Sequence, residues 1–160
     1  MELIRADYNN PQHAAAILAL LSEYALDPMG GGTPLPENTK QCLIGELALR
    51  PFAFSILAYV DGKPVGLANC FEGFSTFACA TLFNIHDMVV LPEYRGRGIG
   101  LAMLDFIESE ARARGACKLT LEVLQGNEAA KRVYSKKGYA TYQLDPKMGA
   151  AEFWEKKLSD

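Results

Sequence analysis

The chain has 160 residues, of which 49% are hydrophobic and 22% charged, and its formal net charge is −3 at pH 7. This composition is typical of a globular protein and excludes disordered and fibrous classes, and the length predicts one domain over residues 1–160. The negative charge argues against a nucleic-acid binder, and no apolar run approaches the roughly 18 residues of a membrane helix. The first residues lack the basic-then-apolar order of a signal peptide, so we expect a soluble, cytoplasmic protein.

The four cysteines are scattered and form no Cys-x-x-Cys pair. Because the chain has only two histidines, this spacing predicts neither a zinc site nor a disulfide framework. We therefore expect no bound metal, and reduced thiols that fill the core. The cysteines are Cys42, Cys70, Cys79 and Cys117.

Periodicity and turn residues predict the element order β-α-α-β-β-β-α-β-α-β-β. Asn10-Pro11 is typical of a helix start, and Asp61-Gly62 is typical of a β-hairpin turn. Hairpins exclude a fully parallel sheet, so we predict an α+β fold with a mixed sheet and helices on both faces. The predicted elements are strand 2–6, helices 11–26 and 37–49, strands 52–60, 65–71 and 81–90, helix 99–114, strand 118–124, helix 127–136, and strands 139–144 and 151–158.

A glycine-rich segment over residues 95–100 lies between a predicted strand and a predicted helix. The first N–H groups of a helix have no partner within it, and this end of the helix attracts negative charge. Glycines allow a ligand to approach the backbone closely, and Arg95 and Arg97 add positive charge. The segment predicts a site for a pyrophosphate or a similar anion. A tight turn whose glycines only satisfy backbone geometry is the alternative.

Two other phosphate-binding motifs fit this segment poorly. A P-loop requires Lys and then Ser or Thr after its last glycine, whereas Leu101-Ala102 follows here. A dinucleotide-binding fingerprint requires Gly or Ala where Leu101 stands.

The stretch 90–100 instead resembles the acetyl-CoA signature of the GNAT superfamily of N-acetyltransferases. The core pattern of that signature is Arg or Gln, two residues, Gly, one residue, and Gly or Ala, which Arg95, Gly98 and Gly100 match. A second stretch, residues 127–134 followed by 137–139, resembles the next signature of the superfamily. The resemblance implies a GNAT-like, mostly antiparallel sheet and an N-acetyltransferase that uses acetyl-CoA as co-substrate.

The resemblance also implies a role for each matching position. The strand that ends at residue 90 would pair its backbone with the pantetheine arm, and one of its N–H groups could stabilise the oxyanion of the transfer. The amides of residues 95–100 would wrap the pyrophosphate. The implied cofactor-binding residues are Met88, Val89, Val90, Arg95, Gly96, Arg97, Gly98, Ile99, Gly100, Asn127, Ala130 and Tyr134.

Tyr134 is the general acid that the resemblance implies, because a phenol can protonate the departing thiolate. Periodicity alone favours a core aromatic at this position, since Ala130, Val133 and Tyr134 form an apolar face. Asn127 likewise has two interpretations, an ordinary helix cap and a contact to the cofactor.

The general base is predicted at His86 or Asp87. Relatives that resemble diamine acetyltransferases often carry Glu-Asp here, so this chain has histidine where the glutamate would stand. Histidine is a chemically suitable base at neutral pH. Strand alternation predicts that the two side chains point to opposite faces of the sheet. The alternative is a structural His86, with water carrying the proton.

The resemblance places the acceptor against residues 24–38 and 71–81, and a polyamine-like or diamine-like small molecule is favoured because residues 71–77 resemble that branch. Acidic side chains would attract a cationic amine, and phenylalanines would line a channel for its methylene groups. A solvated acidic surface with core aromatics explains the same residues. These residues are Glu23, Asp27, Glu37, Glu72, Asp87, Phe71, Phe74 and Phe77.

Other functions remain open at this stage. Protein or peptide amines and aminoglycosides are alternative acceptors, and a non-catalytic sensor that binds acetyl-CoA is an alternative class of protein. A homodimer through the predicted strand 151–158, with Phe153 and Trp154 at the contact, is also predicted. The other possibility is that these two aromatic residues cover the core of their own chain.

Overall fold

Residues 1–158 are described by a computed structural model, in which the chain divides into two compact units at the bond between Leu121 and Glu122. The prediction of a single domain stays a prediction. The first unit contains a five-stranded sheet and α-helices close to the predicted positions. Its elements are β1 (Glu2–Arg5), α1 (Pro11–Leu26), α2 (Glu37–Ala48), β2 (Ala53–Val60), β3 (Lys63–Ser75), β4 (Ala80–Val90), α3 (Ile99–Ala113) and β5 (Lys118–Leu121).

The sheet is mixed, as predicted, with the strands in their sequence order from β1 to β5. Each of the first four strands is antiparallel to its neighbour, and β5 is parallel to β4. The β2–β3 hairpin turns at Asp61 and Gly62, whose φ angles of 50° and 75° match the turn that this dipeptide favours. The predicted α+β class is confirmed. No helix within residues 1–158 is both long and apolar enough to cross a membrane.

Helices cover both faces of this sheet. On one side, which we call the α1 face, Leu57, Leu67 and Val89 form a buried cluster with Ile17 and other residues of α1. The opposite side packs against α3: a Cβ added at Gly66 would lie 2.9 Å from the sulfur of Met103, so only glycine allows this close approach. Since successive strand residues point to opposite faces, Gly66 and Leu67 identify the two sides.

The second unit contains α4 (Glu128–Lys136), which begins at the predicted position. The strands predicted over 139–144 and 151–158 are wrong. The first region forms only one isolated bridge, Gln143 with Ala150, around a 3₁₀ turn at Pro146–Met148, and residues 151–158 have no regular structure. Pro146 lies between the two predicted strands and begins the turn, and apart from this one bridge no described backbone pairs with either segment to form a ladder.

The prediction that the thiols fill the core holds for one cysteine of four. Cys70 is buried, whereas Cys42, Cys79 and Cys117 are exposed, and all four are free. Burial raises the pKa of the Cys70 thiol to about 12. A protonated, buried thiol is a poor nucleophile, so Cys70 is unsuited to carry an acyl group.

Candidate active site

The glycine-rich segment forms an open loop at the start of α3. Gly96 and Gly98 have φ angles of 76° and 81°, a left-handed conformation that glycine adopts without strain. Gly98 is the N-cap of α3, and no side chain of the described residues caps this end. A Cβ built on Gly96 or Gly98 would meet no described atom within 4 Å. The loop therefore leaves N–H groups and open space at the start of α3, and anion binding there stays a prediction.

The arginines of this loop bind the protein itself. Arg95 donates through Nε to the Val90 carbonyl at 2.9 Å and through a terminal nitrogen to Oδ2 of Asp27 at 2.8 Å. Arg97 donates to the Glu93 carbonyl at 2.8 Å. Both side chains thus hold the loop in shape. The Arg95–Asp27 pair is not predictable from the sequence, because its members lie 68 residues apart.

Replacing Asp27 with Asn is expected to lower the melting temperature by about 1–3 °C at neutral pH, since an exposed ion pair contributes little. The hydrogen bond from Arg95, then that from the Met29 N–H, lowers the pKa of Asp27. The stabilisation from the carboxylate is therefore complete above the ordinary pKa, about 4, and is lost as pH falls through the lower folded-state pKa. Thermal unfolding of both proteins between pH 7 and pH 2.5 should show the difference closing in acid. A difference that stays constant over this range would contradict the ion pair.

The edge of β4 next to this loop presents backbone groups away from β3. The Leu91 N–H donates to the Val65 carbonyl on β3. Because the direction of the backbone N–H and C=O groups alternates along an antiparallel strand, those of Met88 and Val90 point away from β3. Pairing of β4 with β5 ends at Ile85, and of the described strands only β3 pairs with the last residues of β4. The outward N–H groups of Met88 and Val90 can therefore bind an extended amide-containing chain, while the Val90 carbonyl already accepts from Arg95. That chemistry fits pantetheine.

The strand edge and the loop are adjacent. A Cβ added at Gly100, in the first turn of α3, would lie 3.7 Å from Cε of Met88. The start of α3 therefore lies against the Met88 side chain, next to the last residues of β4 within the first unit. This arrangement would offer amides for a pyrophosphate and then amides for an extended arm. The structure brings together the predicted residues 88–90 and 95–100.

A β-bulge interrupts β4 next to this edge. Asn69 of β3 pairs with Asp87, but the following residue, Cys70, pairs with Ile85. His86 is therefore an extra residue without a partner on β3. A bulge of this kind breaks the alternation of side chains along a strand.

The bulge places His86 and Asp87 on the same side of the sheet, so the predicted opposite orientation is wrong. The Asp87 carboxylate accepts a hydrogen bond from Asn69, and the His86 ring packs edge-on against Phe71 with centroids 5.4 Å apart. Asn69 and Phe71 are two residues apart on β3 and so face the same side. That side is the α1 face, because Asn69 is also two residues from Leu67.

Asp87 differs from the other predicted acceptor carboxylates in its partner. It accepts from the neutral amide of Asn69 at 2.9 Å, while three of the others are in ion pairs. Among residues 1–158 no lysine or arginine forms an ion pair with Asp87, so its carboxylate is available to a cationic ligand. Burial, followed by the negative charges of Asp87 and Asp27, raises the pKa of Tyr24 on α1. The three ion pairs are Asp27–Arg95, Glu37–Lys40 and Glu72–Arg114.

The predicted phenylalanine channel does not form. Phe71 is half-buried against His86, but Phe74 and Phe77 are exposed at the end of the β3–β4 hairpin. Phe77 lies in the turn between these strands, where the chain reverses away from the sheet core. Only Phe71 therefore lies beside the His86–Asp87 pair.

The second unit carries the remaining predicted site residues on α4. Oδ1 of Asn127 accepts the N–H of Ala130 at 3.1 Å, so the helix-cap interpretation of Asn127 is confirmed. Tyr134 is half-buried, with its ring centroid 5.9 Å from that of Tyr139. Roles for Asn127 and Ala130 in binding the cofactor and for Tyr134 as general acid stay predictions. In neither unit do the described residues form a cluster of metal-binding side chains.

Comparison with known proteins identifies the family. The model of the acetyltransferase (GNAT) family matches residues 16–139, more than three quarters of the chain. The chain belongs to this GNAT family. The match includes the loop, the bulged strand and α4.

Individual GNAT proteins show how far the similarity extends. The chain is 31% identical over 124 residues to thialysine N-epsilon-acetyltransferase of Bos taurus, covering 74% of this chain and 64% of that protein. It is 42% identical over 60 residues to the ribosomal protein bS18-alanine N-acetyltransferase of Escherichia coli K12, covering 38% of each chain. The chain spans about half the length of several curated relatives. A crystal structure of a probable acetyltransferase superposes with a TM-score of 0.81 at 20% identity, covering 100% of this chain and 99% of that one, and supports the GNAT fold.

Proposed function

We propose that this protein is an N-acetyltransferase that moves an acetyl group directly from acetyl-CoA to a primary amine of a small molecule. The observation that carries the proposal is the adjacency of the open start of α3 and the outward edge of β4. Such a surface suits the two chemically distinct parts of coenzyme A, the pyrophosphate and the amide-rich pantetheine arm. Membership of the GNAT family supports the same assignment.

The transfer requires few protein groups. The neutral amine attacks the thioester carbonyl, the carbon–sulfur bond breaks, one proton leaves the amine and one reaches the thiolate. An outward N–H of Met88 or Val90 is proposed to stabilise the oxyanion. His86 and Asp87, on the same face, are the groups proposed to take the proton from the amine. Tyr134 is proposed to protonate the thiolate.

The acceptor we favour is a polyamine-like or diamine-like molecule. The uncompensated carboxylate of Asp87 suits an ammonium group, and the bovine relative is named for acetylating the side-chain amine of thialysine. A protein N-terminus is the second candidate, because the bacterial relative is named for acetylating alanine on a ribosomal protein. A homodimer is also proposed, with the exposed Phe153 and Trp154 at its contact.

The proposal is tested by binding and by turnover. Acetyl-CoA should raise the melting temperature, and NAD and ATP should not, because a ligand that binds only the folded state stabilises it. Release of free thiol from acetyl-CoA is then measured with spermidine, putrescine, lysine, an alanine-terminated peptide and an aminoglycoside. Turnover fastest with the first two supports the favoured acceptor. Stabilisation without thiol release from any amine would instead support a non-catalytic sensor, and no stabilisation would contradict the cofactor assignment.

A further inference from the structure

A chain of hydrogen bonds crosses the α1 face of the sheet and ends at Asp87. Tyr8 Oη lies 3.0 Å from Ser55 Oγ, Ser55 Oγ lies 2.6 Å from Asn69 Oδ1, and Asn69 Nδ2 lies 2.9 Å from Asp87 Oδ2. These hydrogen bonds thus connect the segment before α1 with three successive strands, β2, β3 and β4. Ser55 is 0% exposed and Asn69 is 4% exposed, and they are the buried polar residues of the described core.

The donor and the acceptor in each of these hydrogen bonds follow from the Asp87 carboxylate and from the single hydroxyl hydrogen of Ser55. An ionised carboxylate only accepts, so the Asn69 amide must donate to Asp87 and present its carbonyl oxygen to Ser55. Ser55 has a single hydroxyl hydrogen, which it donates to that oxygen. Tyr8 must therefore donate to Ser55. Burial raises the pKa of Tyr8, which keeps its phenol proton available for this bond.

Tyr8 thus donates to Ser55, Ser55 donates to Asn69, and Asn69 donates to Oδ2 of Asp87. Buried polar groups of this kind are costly unless each is satisfied, and a satisfied network holds its members in one arrangement. The hydrogen bond from Asn69 holds Oδ2 of Asp87 in position, and none of the hydrogen bonds found among residues 1–158 uses Oδ1, which is left for a ligand. Asp87 directly precedes Met88, the first residue of the outward edge, where the acyl group is proposed to bind.

We infer that Tyr8, Ser55 and Asn69 are positioning residues that orient Asp87 toward the acceptor amine. This inference rests on the proposed function. In it, Asp87 is the group that touches the acceptor, and the other three act through Asp87. Asn69 has the largest effect because it is bonded to the charge, and the effect decreases through Ser55 to Tyr8.

The experiment compares Asn69→Ala, Ser55→Ala and Tyr8→Phe with wild type, using the most active amine of the panel. Asn69→Ala loses a hydrogen bond to a charged group, so its kcat/KM for the amine should fall at least about 10-fold. Tyr8→Phe loses a hydrogen bond between neutral groups, so its kcat/KM for the amine should fall about 2- to 5-fold. The KM for acetyl-CoA should stay unchanged in all three, since none of these residues lies in the loop or on the outward edge. Tyr59→Phe is the matched control, because Tyr59 is a half-buried tyrosine of the same core that takes no part in these hydrogen bonds. The amine kinetics of this variant should equal those of wild type.

The outcomes separate this inference from the proposed function. An active wild type with unchanged amine kinetics in both Asn69→Ala and Tyr8→Phe would overturn the positioning role and leave the acetyltransferase assignment intact. A wild type inactive with every amine would overturn both. If Asn69→Ala does not fold, Tyr8→Phe decides, because it removes one half-buried hydroxyl and keeps the ring. A lower melting temperature with normal amine kinetics in that variant would show a purely structural network.

Discussion

Replacing Tyr134 with Phe is expected to lower kcat by about 10²- to 10⁴-fold, the usual effect of losing a general acid. The substitution removes one hydroxyl and keeps the ring, so the melting temperature should change little. The KM values should move much less than kcat, because the lost proton transfer belongs to the transition state. Tyr134 is half-buried, and α4 contains no fully buried residue, so its ring is not central to a core. Steady-state kinetics with acetyl-CoA and the most active amine measures the effect.

Tyr139→Phe is the matched control for this substitution. The two rings are neighbours, with centroids 5.9 Å apart, and the Tyr139 hydroxyl is buried. Tyr139→Phe also removes one hydroxyl and keeps the ring, and turnover in the folded protein should stay near wild type. The general-acid role would be refuted by a Tyr134→Phe enzyme that keeps more than about a third of wild-type turnover, with chemistry shown to be rate-limiting. Tyr134 would then be a packing residue.

Replacing Gly98 with Val is expected to abolish binding of acetyl-CoA at concentrations that saturate wild type, in a chain that still folds. A Cβ at Gly98 meets no described atom within 4 Å, so the new side chain occupies the space proposed for the pyrophosphate. The φ angle of 81° adds backbone strain of about 1–2 kcal/mol, which lowers stability without unfolding most domains. Isothermal titration with acetyl-CoA, together with thermal unfolding, measures both effects.

The same helix offers a control for the strain. Gly115 follows the last turn of α3, has a φ angle of 68°, and a Cβ there also meets no described atom within 4 Å. Gly115→Val therefore carries similar strain at the opposite end of α3, and it should destabilise the protein while leaving acetyl-CoA affinity near wild type. Normal affinity in a folded Gly98→Val protein would disprove the cradle. Equal loss of affinity in both variants would show that backbone strain disrupts binding, and that the space filled by the valine at position 98 does not matter.

Local sequence determined most elements of the first unit and the cofactor half of the site. Asn10 caps α1, Asp61 and Gly62 make the hairpin turn, and Gly98 begins α3, because each acts through the backbone of its immediate neighbours. The loop at residues 95–100 was predictable for the same reason. Its glycines and the helix start form the proposed anion site without any distant residue.

Tertiary structure decided the acceptor half. The bulge that brings His86 and Asp87 to one face depends on the register between β3 and β4, which no local pattern encodes. The partners of Arg95 and of Asp87 come from distant segments, so spacing along the chain could not identify them. The predicted strands after residue 138 failed for a related reason. Apolar alternation indicates that a segment can form a strand, but a ladder also requires a neighbouring backbone to accept and donate its hydrogen bonds.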